Sequence, residues 1–331
     1  MAGFVFSEAP GFADSMFGKS AYPISMLLEN ELESFEQDSA VEKIFAKHKS
    51  KHFAEKVTAL SAMDNWSPAG ENSAPATVGM DEVFSKVIEH TVWNSKFVIS
   101  KEMIDDSNFD LMSIRARKMV QSFGRTKEMF GAALLAGGLG NSVKFGGRTF
   151  ATTTADGKPL FATNHPNFYK ATKTQSNCYA GEFSNTVLAD LETIMQNFVG
   201  DKDEILGIAP DTIIIPNDGK LKYKVFEAIG ADKDPNTANN GFNYTYGRWN
   251  VIIDPYLKFT GSTTTPFILM DSKFNANEGT AMWYDRIPME VSAYVDNATR
   301  AAIYQGYARF GVGFNNWRGM LIGGVSTGTT L

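Results

Sequence analysis

NFDLMSIRARKMVQSFGRTKEMFGAALLAGG, residues 108–138, is the stretch on which the reading of the fold turns. Phe109, Met112, Ala116, Met119, Val120, Phe123, Phe130, Ala133 and Leu134 recur at steps of three and four, the spacing of one helical face. Arg115, Lys118, Gln121, Arg125 and Lys127 take the other face. The pattern predicts a helix over 107–136, with Ser107 or Asn108 as cap, Asp110 in the first turn, and Gly137 and Gly138 as a C-terminal cap pair. At 1.5 Å per residue that is a rod of roughly 43 Å. Gly124 inside it costs about 1 kcal/mol and marks a bend or a close contact. A rod this long with one apolar stripe needs other elements to cover it.

The flanking chain is poor at covering itself. Residues 53–101 read as two strands around a tip, SPAGENSAPATVG (67–79), whose composition cannot bury enough surface to offset ordering. In 82–100, Val83, Ser85, Val87, Glu89, Thr91, Trp93 and Ser95 share one face, and Phe84, Lys86, Ile88, His90, Val92 and Asn94 the other. Both faces are mixed, so the segment is expected to be half of a long hairpin with little core, which needs another surface to lie on. Residues 1–37 read as an extended arm with a short helix over 24–36. In 38–50 a solvated helix is expected, with Glu29, Glu31, Glu33, Glu36 and Asp38 before it and Lys43, Lys47, Lys49, Lys51 and Lys56 along and after it. The alternative is a surface arm that pairs with an oppositely charged neighbour.

Beyond the rod, 139–182 reads as loops and short strands, with turns at 155–157 and at Asn164-His165-Pro166. Residues 184–199 form an amphipathic helix capped by Ser184, and KLKYKVFEAIG (220–230) a second helix. TIIIP (212–216), WNVIIDPYL (249–257) and TPFILMD (265–271) read as buried strands. Helix and strand alternate here, as in a layered α/β block. Two long strands, 288–296 and 301–324, pair antiparallel across a turn at Asp296-Asn297, with Met289, Val291, Ala293 and Val295 on one face and Glu290, Ser292 and Tyr294 on the other.

Composition narrows the function classes. Hydrophobic residues are 43% and charged residues 21% of 331, ordinary for a globular chain, and a two-domain length. No apolar run approaches the roughly 18 residues a bilayer span requires, and MAGFVFSEAPGF lacks the pattern of a signal peptide. One cysteine, Cys178, excludes a disulfide framework within the chain. The formal charge of −6 argues against tight phosphate binding, so contact with nucleic acid is expected to be weak and non-specific. Phe, Tyr and Trp make up 12%, which fits a single aromatic-rich core and surface buried against copies of the chain equally well.

Catalytic chemistry is hard to find. His48 and His52 have the i, i+4 spacing of a helical zinc pair, but HKSKH places Lys49 where a metalloprotease needs Glu, and neighbouring lysines repel a cation. His165 lies near Asp156 without a Gly-x-Ser-x-Gly elbow, and Cys178 with His165 is a pair by residue type alone. The glycines of 137–147 follow a helix and match no phosphate-binding pattern, so they read as turn glycines. Asp105/Asp106 and Asp201/Asp203/Glu204 are adjacent carboxylates at loop positions, read as solvated turn chemistry. No catalytic, cofactor or metal residue is assigned.

The ordered segments resemble a family. The hairpin 53–101, the helix 107–136, DGKPLFATNHPN (156–167), SNTVLADLETIMQNFV (184–199) followed by APDTIIIPNDGKLKYKVF (209–226), YGRWNVIIDPYL (246–257) and the closing run 274–324 resemble, in that order, the tailed-phage major capsid protein of Hong Kong 97-like fold, and within it the Mu-like major head subunit group. The resemblance covers most of 40–325 and implies an α+β fold. Its divisions are an N-terminal arm (1–52), an extended E-loop hairpin (53–102), a peripheral domain (103–182 and 279–331) with the long helix as spine, and an axial domain (183–278). It implies a shell protein, not an enzyme, that forms hexamers and pentamers around the packaged genome. The partners it implies are copies of itself, a scaffolding protein, a portal, a decoration protein as an open option, and double-stranded DNA by weak contact, with no membrane. It implies assembly in the host cytoplasm and residence in the virion. Some relatives crosslink a lysine to a neighbour's asparagine; Lys86, Lys96, Asn315 and Asn316 match by type only. A nanocompartment shell of the same fold (encapsulin-like) is the alternative, and a cytosolic enzyme a third reading.

Overall fold

The computed structural model describes residues 39–63, 66, 68, 71, 74, 77, 79–102, 109–230, 243, 245–259 and 265–331, with backbone alone for 109–113 and 293. The expected arm helix at 24–36 and the caps Ser107 and Asn108 lie outside these residues. In chain order the elements are α1 (Ala40–Ile44), β1 (Ala46–Lys49), β2 (Ala54–Leu60), β3 (Glu82–Glu89), β4 (Thr91–Ile99), α2 (Phe109–Ala136), β5 (Ser142–Phe145), β6 (Arg148–Ala151), β7 (His165–Pro166), β8 (Thr174–Gln175), α3 (Asn185–Gln196), β9 (Thr212–Pro216), α4 (Gly219–Gly230), β10 (Asn250–Asp254), β11 (Phe267–Met270), α5 (Ser272–Glu278), β12 (Ala281–Val295), β13 (Ala302–Phe314) and β14 (Met320–Gly323). The fold class is α+β. The chain divides into two compact units, one of residues 1–55, 88–131 and 283–312, the other of 56–87, 132–282 and 313–331.

In the first unit the helix read from the sequence is present, and a four-stranded sheet ordered β1-β12-β13-β4 accompanies it. β4 runs antiparallel to β13 from Ile99 opposite Ala302 to Thr91 opposite Phe310. The helix stripe Ala116, Met119 and Val120 buries against Ile99, Met289, Val291, Ala302, Tyr304 and Ala308, with Phe123 partly buried beside them. Aromatic pairs extend this core. Trp93 stacks on Phe310 at 5.0 Å, Trp283 on Phe310 at 4.7 Å, and Phe97 on Tyr304 at 4.9 Å. A fully buried member such as Phe310 contributes about 1.5–3 kcal/mol by leaving water.

Several expectations are corrected here. The helix expected over 38–50 stops at Ile44, because Phe45 is extended and buried, and residues 46–49 pair at the edge of the sheet. Lys127 does not belong to the solvent face of α2. It is 7% exposed, its Nζ lies 3.4 Å from Glu42 Oε1 and 5.5 Å from the centre of the Trp283 ring, and the neighbouring buried Glu128 accepts from the Ser39 hydroxyl. A close contact occurs at Gly131, where a Cβ would come within 2.6 Å of Val41. The segment 82–100 is two strands broken at His90. Phe84, Lys86, Ile88 and His90 turn inward before the break, and Thr91, Trp93, Phe97 and Ile99 after it. The change of parity is why both faces looked mixed.

The second unit carries a sheet ordered β10-β9-β11-β14. β9 and β10 are parallel, Thr212 opposite Asn250, and α4 makes the crossover that parallel strands require. β11 is antiparallel to both β9 and β14. Ile213, Ile215, Phe267, Leu269 and Leu321 pack with Leu188, Leu191 and Met195 of α3 and Leu221 and Val225 of α4. Ile214, Ile268 and Ile322, on the opposite face, are buried too, which explains the unbroken apolar runs. Ser184 caps α3 by accepting from the Val187 N–H. β5 and β6 form a hairpin whose two turn residues, Gly146 and Gly147, have φ of 55° and 80°, a conformation only glycine adopts cheaply.

Here too the structure departs from expectation. Gly137 and Gly138 are not in the left-handed region and open a 3-10 turn packed on Val143 and Phe161. Asn164-His165-Pro166 is not a turn, since His165 and Pro166 pair with Gln175 and Thr174. The strand at 249–257 spans only 250–254, and as the edge of its sheet it is half-buried. The strand expected over 301–324 ends at Phe314, and 320–323 joins the other sheet. α5 was not anticipated; its signals are Asp271, which accepts from Lys273 and Phe274 N–H, and Gly279 at φ 67°.

Candidate functional site

His165 is buried at the centre of a polar knot in the second unit. Its Nδ1 lies 2.7 Å from Asp156 Oδ2 and its Nε2 3.1 Å from Asn177 Oδ1. The Asn177 amide is oriented by its neighbours: Nδ2 donates to the Leu160 and Met320 carbonyls, and Oδ1 accepts from Ala162 N–H. Both ring nitrogens therefore face side-chain oxygens and the ring is held on both sides. The ring stacks on Trp317 at 4.3 Å, and the Arg318 guanidinium lies 4.9 Å from the same indole. Arg318 in turn donates to Asp201 at 3.2 Å and to the Val199 carbonyl. Asp156 is pulled two ways, up by burial and down by its hydrogen bonds to His165, Thr154 and Lys158, with the net below the ordinary carboxylate range. Both ring nitrogens are engaged inside the buried knot, so the ring presents neither of them to a substrate. The knot fastens residues 156–177 to the C-terminal segment.

The other sequence candidates do not converge. His48 lies on the edge strand β1 against Tyr284 and His52 on the bend that follows it; both are exposed, and the helix their spacing required is absent. Among the described residues no cluster of His, Cys, Asp or Glu could hold a metal. Cys178 is buried, and burial pushes its thiol up to about 11. Asp105 and Asp106 lie outside the described residues. Asp201 is not solvated but buried with Arg318, which corrects the loop reading. Asp203 is half-buried, and Lys170 and then Lys173 hold it down to about 2. Lys86 donates to Thr153, Asn315 is 3% exposed, Asn316 caps a 3-10 turn, and Lys96 is exposed on β4.

A surface for association is easier to find than a site for catalysis. Leu60, Met63, Trp66 and Met80 lie in the chain where the β2–β3 hairpin opens into its tip; Trp66 is 90% exposed and the others are more than half exposed. Several large apolar side chains left in water at one end of a hairpin mark an interaction surface. The sequence reading missed them because the neighbouring polar tip dominated the composition. No described helix is long and apolar enough to cross a membrane.

The family model described as phage capsid protein matches residues 85–323. No curated protein matches the sequence. Among solved structures the chain is similar to the capsid of a native GTA particle, 14% identical with 86% of this chain and 89% of that one covered, at a TM-score of 0.52. It is similar to a chain of Mycobacterium phage Cain, 13% identical with 89% and 91% covered, at 0.51. The capsid of Myoviridae phage XM1 is 10% identical with 86% and 90% covered, at 0.50. These likenesses show the fold, and the family match supports the phage shell over the nanocompartment alternative. With its α+β architecture and segment order, this chain belongs to the phage capsid protein family: it is a major capsid protein of Hong Kong 97-like fold, a component of the virion shell.

Proposed function

We propose that copies of this chain form hexamers and pentamers that close into an icosahedral head, and that the β2–β3 hairpin acts as the E-loop that contacts a neighbouring copy. The observation that carries this is the exposed group Leu60, Met63, Trp66 and Met80, which a lone subunit leaves in water. The division into arm (1–52), E-loop hairpin (53–102), peripheral domain (103–182 and 279–331) and axial domain (183–278) is supported by the spine helix with its four-stranded sheet and by the separate β9–β11 sheet. Residues 320–323 pair with Phe267–Met270. Membership of the Mu-like group rests on the residue matches quoted above. The chain works by assembly rather than catalysis, as the engaged nitrogens of His165 and the high thiol pKa of Cys178 suggest.

Scaffolding protein, portal and a decoration protein are proposed partners in the host cytoplasm. Packaged DNA is held weakly, because 31 basic residues face 37 acidic ones and counterion release needs clustered cations. Electron microscopy of the purified protein tests the main reading: closed shells are expected from the intact chain, and a chain with residues 67–79 deleted is expected to stay folded and fail to close. Normal shells from the deletion would overturn the E-loop role. Duplex DNA should bind the subunit no tighter than roughly 10⁻⁴–10⁻⁶ M at physiological salt; nanomolar, salt-sensitive binding would refute that part.

A further inference from the structure

The hairpin is closed where its tip begins. Ser61 N–H donates to the Asp81 carbonyl at 2.9 Å, and Asp81 N–H to the Ser61 hydroxyl at 3.0 Å. One side chain from elsewhere in the same unit meets both arms at this point. The Tyr169 hydroxyl donates to Asp81 Oδ2 at 2.6 Å, and the Ser61 hydroxyl hydrogen-bonds the same phenol. Lys202 Nζ donates to the Gly79 carbonyl at 3.1 Å. Nearer the hairpin base, Phe84 packs edge-on against Phe168 at 5.1 Å and Lys86 Nζ donates to Thr153 at 2.7 Å.

The receiving loop is itself fixed. Asn167 Oδ1 accepts from Tyr169 and Lys170 N–H, and the Asn167 amide donates to the Gly200 and Asp201 carbonyls. Phe168 N–H donates to Asp201 Oδ1, which Arg318 also grips. The buried knot around His165 and Arg318 thus continues outward into a platform of Phe168, Tyr169 and Lys202. An isolated two-stranded hairpin is marginal in water and free to swing. With its inner face on this platform, the hairpin leaves Leu60, Met63, Trp66 and Met80 exposed at its far end. An element already ordered before association loses less entropy when it binds.

We infer that Tyr169, with Phe168 and Lys202, is a seat that positions the hairpin so that its exposed apolar end is presented to a second copy of the chain. The inference rests on the reading of that end as a contact between copies. Tyr169→Phe keeps the ring and removes only the hydroxyl. One net hydrogen bond is worth roughly a factor of five in an equilibrium. Amide exchange at Ser61 and Asp81 should therefore rise about fivefold and assembly should slow by a similar factor, with the urea midpoint of the subunit and the shell size unchanged.

A second variant sets the direction. Asp81→Cys with Tyr169→Cys can be joined by a short thiol-to-thiol crosslinker, the native Cys178 being buried. The joined subunit should assemble at least as fast as the unjoined one. Assembly blocked by the crosslink would mean that the hairpin has to leave the platform, and would overturn the inference. So would Tyr169→Phe with unchanged exchange, or with raised exchange and a normal assembly rate. Trp66→Ser reports on the underlying reading instead: assembly should fail with exchange at Ser61 and Asp81 unaltered, and normal assembly would remove the contact between copies itself.

Discussion

Replacing His165 by leucine is the sharpest test of the buried knot. The substitution removes the Nδ1 contact with Asp156, the Nε2 contact with Asn177 and the ring stacked on Trp317, while leaving a side chain of similar size. The Asp156 side chain is 3% exposed, so its carboxylate has no water to replace the lost donor. It retains the Thr154 hydroxyl at 2.5 Å and Lys158 N–H at 3.0 Å. Losing a charge-assisted hydrogen bond costs about 1.5–3 kcal/mol, and the Asn177 oxygen, which keeps the Ala162 N–H, adds only a fraction of that. The retained partners keep the total below the about 3–5 kcal/mol found when a buried ion pair loses a member. The expected loss is about 3 kcal/mol, read from urea unfolding of the subunit at pH 7. Asp156→Asn with His165→Leu should cost less than the two single changes summed, because the second removes a partner already lost. The same pair predicts a pH dependence. Asp156 sits lower in the folded chain than in the unfolded one, so its contribution is complete above the ordinary carboxylate range and is lost as pH falls through the lowered value. Stability of the wild type should therefore drop more steeply below about pH 4 than that of Asp156→Asn. A His165→Leu loss under about 1 kcal/mol, with additive effects in the double variant, would refute the coupling.

Four further outcomes follow from the cores and the buried groups. Phe310→Ala should cost about 3–5 kcal/mol in the same unfolding assay, since Phe310 is 2% exposed and stacks on both Trp93 and Trp283. Phe123→Ala, at a partly buried position, should cost clearly less. Burial, and then the Arg309 charge, hold His90 below the ordinary histidine range; the unfolded chain takes up a proton first, so stability is complete above about pH 6.5 and declines toward pH 5, a decline that His90→Gln should abolish. Cys178, 3% exposed with its thiol raised to about 11, should resist iodoacetamide at pH 7.5 in the folded subunit and react on unfolding; rapid alkylation of the native protein would show that the segment opens.

The periodicity of 109–136 and the unbroken apolar runs at 212–216 and 267–270 were enough to place the long helix and the buried strands, because each depends on residues three, four or two apart. The caps at Ser184 and the turn at Gly146-Gly147 are equally local. What the sequence could not hold was any quantity set by residues far along the chain. Lys127 reads as a solvated charge until Glu42 and the Trp283 ring surround it. His90 reads as one more strand residue until the strands on either side of it prove to bury opposite faces. His165 and Asp156 are close enough in sequence to be suspected, but the donors and acceptors that fix their roles come from Asn177, and the ring beneath comes from Trp317. The seat of the hairpin joins Ser61 and Asp81 to Tyr169 and Lys202, a pairing that no local pattern encodes. Local spacing determined which segments are helix and strand. Which charges are buried, which histidine is engaged and where the hairpin rests were decided only when distant segments met, because burial and hydrogen-bond partnership are properties of the packed chain.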